Sequence, residues 1–140
     1  SCLIAGACCI NETLAVAYIR ACLETADDAT AIAANRAHLR DEIGHGRIGW
    51  ALLASTWIDA ELRAALSARL PRLLAANVPL WLRIDETVGP DGEPALGHPS
   101  HAALTRAILA AVDEAVIPGF AYVGCDTRAA QAWRTTITSS

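Results

Sequence analysis

HLRDEIGH, residues 38–45, places one histidine four positions before a glutamate and a second histidine three positions after it. On a helix turning about 100° per residue, His38, Glu42 and His45 share one face and span one to two turns. Asp41 stands beside Glu42. Imidazole and carboxylate together are ligands for iron, manganese or zinc. The spacing is not that of the zinc-protease motif HExxH, because the chain has no His-Glu pair.

Helical periodicity extends this stretch to about residues 28–55, with Ala31, Asn35, His38, Glu42, His45, Gly49 and Leu52 as its inward line. Asp27 or Asp28, in the turn ETADD, suits the N-cap. A first helix over residues 3–24 carries the line Ala5, Cys8/Cys9, Glu12, Ala15/Val16, Ile19, Cys22/Leu23, which is apolar except at Glu12. The turn centres near residue 27, with Glu12 fifteen residues before it and Glu42 fifteen after. An antiparallel helix pair brings the two to one level. An unpaired carboxylate in an apolar stripe is costly, and a cation between the carboxylates and imidazoles removes the cost. Residues 3–57 therefore read as a metal-binding antiparallel helix pair with ligands Glu12, His38, Glu42 and His45. A polar network that sets helix register is the metal-free alternative.

Residues 58–140 read as supporting helices. A bend near Trp57 and Asp59 leads into a run to Leu70, with Leu53, Trp57, Leu62 and Leu66 as its packing stripe. Pro71 and Pro79 each suit the first turn of a new, short helix, with kinks at the prolines; LWLRIDE forms the second piece. GPDGEPALGHP, residues 89–99, is the clearest loop. A helix from Pro99 to about Ile117 follows, with Leu104, Ile108, Ala111/Val112 and Ala115 inward, and Pro118-Gly119 ends it. Asp126 caps a last helix that turns Ala129/Ala130, Trp133 and Ile137 inward.

The length of 140 residues suits one domain. Alanine is abundant and β-branched and aromatic residues are sparse, so the chain reads as all-α. A net charge of -4 with no basic block argues against nucleic acid as a partner. Five cysteines, three of them in the first nine residues, do not make a disulfide framework; they read as packing thiols in a reducing cytoplasm. The apolar run at residues 2–10 is too short to span a bilayer before Asn11 and Glu12 interrupt it, and no basic segment precedes it, so neither a membrane partner nor a signal peptide is expected. The chain has no methionine and reads as a single helical domain or a fragment or processed piece of one.

Glu12, a gap of twenty-nine residues, then Glu42-x-x-His45 resembles the second half of the ferritin-like di-iron superfamily. With Asp41 beside Glu42 and His38 one turn before it, residues 8–50 are most similar to the bacterial di-iron N-oxygenases of aminoarenes such as p-aminobenzoate. The resemblance implies a ferritin-like helical bundle, of which this chain is the C-terminal half, and two iron ions, with manganese the alternative. Glu12 and Glu42 resemble the carboxylates that ligate and bridge the irons, His45 the Glu-x-x-His ligand, and His38 the family's additional histidine. Asp41 resembles the acid that orients a ligand imidazole; a solvent-facing helix charge is its plainer reading. The implied reaction uses O₂ to oxidise a small aromatic amine through the hydroxylamine to the nitro compound.

The family also needs a further Glu and a second Glu-x-x-His from two preceding helices. No second ExxH occurs: Glu61, Glu86, Glu93 and Glu114 lack a histidine three positions on, and His98 and His101 have no Glu in register. The expected partner is thus a missing N-terminal half or a second subunit; a symmetric dimer would offer four Glu and four His. Two other readings stay open: another ferritin-like di-metal oxidase, hydroxylase or storage protein, and a metal-free helical interaction module using the 89–99 loop and the tryptophans.

Overall fold

The computed structural model describes residues 2–83 and 89–137. Among them there are helices and no strands, with one isolated β-bridge between Glu93 and His98. A π-helical segment, Ile4–Asn11, runs into α1, Glu12–Thr25. Asp28 then caps α2, Ala29–Ala54, its carboxylate accepting from the Thr30 and Ala31 amides at 2.8 and 3.1 Å. Asp59 caps α3, Ala60–Trp81, in the same way, accepting from the Leu62 amide. Ser100 caps α4, His101–Ala111, through the Ala103 amide. A π-helical turn, Val112–Val116, carries α4 into α5, Ile117–Tyr122, and α6 spans Arg128–Thr135.

The first helix is the spine of the core. It packs against α2 and α4, and its π-helical start also meets α3. Ala5, Cys9, Ile10, Leu14, Ile19 and Cys22 are buried along it. Ile4–Thr25 is 22 residues long with a mean hydropathy of 1.2, so by length and composition it could cross a membrane. Asn11 and Glu12 interrupt the apolar run but not the helix, which continues through both as expected over residues 3–24. Its apolarity is put to use here as core packing.

None of the five cysteines forms a disulfide, and Cys9, Cys22 and Cys125 are buried, in keeping with a packing role. Burial pushes the Cys9 thiol up to about 12, with the Cys8 charge adding to the effect, which leaves it unreactive.

Four expectations need correction. The helix does not restart at Pro71 or Pro79: α3 is continuous through both. Leu66, Leu70, Leu74 and Val78 recur every fourth residue and are almost wholly buried. Burying four such side chains contributes about 6–12 kcal/mol, enough to offset roughly 3 kcal/mol for each proline. Part of LWLRIDE lies outside the described residues.

Pro118-Gly119 does not end the fourth helix. Pro118 sits in the first turn of α5, where its missing N–H costs little, and buried Val116, Ile117 and Phe120 carry the helix on to Tyr122. Trp57 is 82% exposed and Leu62 is also exposed, so Leu53 and Leu66 alone of that stripe are buried. Ala115 likewise faces solvent, while Leu104, Ile108 and Val112 are buried.

The 89–99 segment is a loop, closed by two backbone hydrogen bonds between Glu93 and His98 around a 3₁₀ turn, Pro94–Leu96. The Pro94 carbonyl accepts from the Asp27 amide, so the loop covers the α1–α2 turn. In the last helix Ala130 is buried and Trp133 half-buried; its N-cap is Thr127, without a side-chain cap bond, and Asp126 one residue earlier accepts from the Arg128 amide.

Candidate metal centre

The α1–α2 pair closes most tightly where α2 carries glycine. A Cβ on Gly49 would lie 2.5 Å from the Cys8 carbonyl oxygen and 2.6 Å from the Cys8 Cβ; one on Gly46 would lie 3.7 Å from the Glu12 Cβ. Small residues on α2 thus let α1 approach until the Glu12 side chain reaches α2.

Within that approach Glu12, Glu42 and His45 form one group, with a ligand atom from each within 4.8 Å of the others. Glu42 is the hub. One of its oxygens, Oε1, lies 3.2 Å from His38 Nε2 and the other, Oε2, lies 3.8 Å from His45 Nδ1, while its carboxylate also pairs with that of Glu12. The structure therefore joins three of the four expected ligands directly and places His38 on the hub. Asp41 is exposed on the adjoining side of α2.

The expected inward line of α2 is not inward along its length. Of its 26 residues only Gly49 and Leu53 are buried. The Glu42 side chain is 17% exposed, but those of His38 and His45 are 60% and 61% exposed. Glu12, Glu42 and His45 do come together; among the described residues nothing covers the histidine side of this face.

A hydrogen bond between the two carboxylates needs one proton between them. A hydrogen bond to Glu42, aided by burial and the Glu42 charge, pushes the Glu12 carboxyl up to about 7, against a smaller opposing pull from His45. The same bond, with help from His38 and His45, holds Glu42 below the ordinary carboxylate range despite burial. The signs are opposite. Glu12 contributes stability that is complete below its unfolded value and is lost as pH rises through about 7; Glu42 contributes stability that is lost as pH falls through its lowered value. The metal-free protein is expected to lose thermal stability as pH rises from about 4.5 to about 7, while the shared proton leaves. Glu12→Gln, whose amide donates to Glu42 as the protonated acid does, should flatten that loss in melts across this range. An unchanged slope would mean that the carboxylates are not paired.

Two indoles clamp the helix that carries Glu12. Trp81 Nε1, at the end of α3, donates to Asn11 Oδ1 at 2.8 Å, and Trp50 Nε1, on α2, donates to Thr13 Oγ1 at 3.2 Å. Asn11 Nδ2 in turn donates to Asn77 Oδ1 at 2.7 Å. The residues on both sides of Glu12 are thereby fixed to neighbouring helices. Sequence reasoning missed these residues; polar Asn11 and Thr13 in an apolar helix were the available signal.

The donor set fits a transition metal. Donors on one ion sit about 2.0–2.2 Å from it and hence ~3–4 Å from each other, which the group reaches with small side-chain adjustments. Replacing the shared proton with a cation relieves the same repulsion more strongly. Three donors and a nearby fourth do not complete two coordination spheres.

No family model, curated protein or solved structure matches this chain. What stands, among the described residues, is an all-helical fold with one candidate metal-coordinating cluster of acidic and histidine side chains.

Proposed function

We propose that α1 and α2 are a transition-metal half-site, and that the complete site belongs to a di-iron oxygenase of small aromatic amines. The observation that carries this reading is Glu42, which meets Glu12, His38 and His45 at once. A carboxylate with one oxygen toward each of two imidazoles can bridge two cations. His38 favours N-oxygenation over the other di-metal oxidases, because it stands at the position of the family's additional histidine. Iron, when bound, supplies the redox chemistry with O₂; manganese suits the same donors. Glu12 and Glu42 then balance cation charge, His38 and His45 act as neutral donors, and Asp41 would orient an imidazole across the site. The remaining donors come from a second helix pair, either an N-terminal half or a second subunit. Five free thiols are consistent with a cytoplasmic setting.

The test is anaerobic loading with Fe(II), metal analysis, then O₂ and p-aminobenzoate with product detection, on the chain alone and with any partner that completes it. Stoichiometric iron and the hydroxylamine or nitro product are expected for the completed protein. Iron-loaded protein that oxidises hydrocarbons but no amine would exclude N-oxygenation. No iron uptake, with stability indifferent to chelator, would favour the metal-free interaction module.

A further inference from the structure

The uncovered side of α2 carries its own pattern. Ala34, His38, Asp41, His45, Ile48 and Leu52 are spaced four, three, four, three and four residues apart, the 3.5-residue period of a coiled-coil seam. All are exposed except Leu52, which is half-buried, and Ile48 stands 69% exposed. Arg36, Arg40 and Arg47 fall on the far side of the helix, by the same 100° per residue that builds the seam. A stripe with this period and no arginine is shaped to receive a helix.

We propose that the helix it receives is α2 of a second copy, running antiparallel, and that a divalent cation is needed to close the pair. The proposal rests on the metal reading for its cation dependence. The seam is complementary to itself about a two-fold axis at residue 43. Asp41 then faces the partner's His45, acid against imidazole. Ala34 faces the partner's Leu52, small against large, and His38 faces the partner's Ile48. Each of these pairs is made twice, as an isologous interface requires. A parallel pairing would instead set Asp41 on Asp41 and histidine on histidine, which is repulsive.

The antiparallel pairing also brings the two Glu42 residues to within two residues of one level, about 3 Å along the axis. Four carboxylates, Glu12 and Glu42 from each copy, then lie beside a seam with no arginine, so the pair is disfavoured until cations enter. The partner's Asp41, facing His45, is in position to hold the ring or add a donor that one copy lacks.

Sedimentation velocity and native mass spectrometry with Co(II) as the probe test this. The whole chain should be a monomer in chelator and a dimer carrying two Co(II) ions after loading. Ile48→Arg, on the seam but not a ligand, sets a cation against the partner's His38 and should weaken the dimer at least tenfold while leaving the helical circular dichroism unchanged. Ala51→Arg, also exposed but off the seam, should still dimerise. A wild-type monomer binding one Co(II) would overturn self-pairing and leave the metal reading intact. No Co(II) bound would remove both. An Ile48→Arg protein that dimerises as tightly as wild type would overturn this seam.

Discussion

Glu42→Ala is expected to weaken Co(II) or Fe(II) binding by at least about a hundredfold, measured by competition with a chromophoric chelator. Losing a residue that merely orients a ligand costs roughly ten- to a hundredfold, and Glu42 is itself the group on which Glu12, His38 and His45 converge. The same substitution should cost the metal-free protein little, because the side chain is partly solvated and its removal also ends the confrontation with Glu12. Glu42→Gln separates charge from shape: it keeps a donor-acceptor group beside Glu12 but cannot bridge cations, and it should bind metal nearly as poorly as Glu42→Ala. Tight binding retained in both variants would mean that the cation sits elsewhere.

Gly49→Val is expected to lower stability by about 3 kcal/mol, near the upper end of what overpacking costs, and the melting temperature by on the order of 10 °C. Even a single added Cβ would sit 2.5 Å from the Cys8 carbonyl oxygen, a backbone atom that moves only if α1 moves. Separating the helices there also draws Glu12 away from Glu42, so metal affinity should fall with stability. Gly44→Ala is the control on the same helix. A Cβ at Gly44 meets nothing within 4 Å, and replacing a helical glycine with alanine should raise stability by about 0.5–1 kcal/mol. Chemical denaturation of the two variants side by side decides the matter; equal effects would deny a tight crossing at Cys8 and Gly49.

The helix pair was legible because its signals are local. Asp28 caps between two periodic runs, and Glu12 and Glu42 lie equally far from the turn, so their pairing follows from counting residues. Periodicity identifies a face but not what covers it, and this is why His38 and His45 were read as inward although they face solvent. The continuous α3 was hidden for a related reason. A proline penalty is visible in the sequence, whereas the burial of Leu66, Leu70, Leu74 and Val78 that outweighs it depends on the rest of the chain. The π-helical start before Glu12 has no residue signature; its extra residue per turn is settled by packing against α2 and α3. The clamps on Asn11 and Thr13 join residues 70 and 37 positions apart, beyond any motif.

Those clamps have an optical consequence. Of the four tryptophans, Trp57 is exposed, while Trp50 and Trp81 are half-buried and bonded to the residues on either side of Glu12. Their emission is a built-in gauge of this segment of the first helix. A paramagnetic ion settling against Glu12 should quench these two indoles and spare Trp57, so ion entry can be followed in real time without attaching a dye.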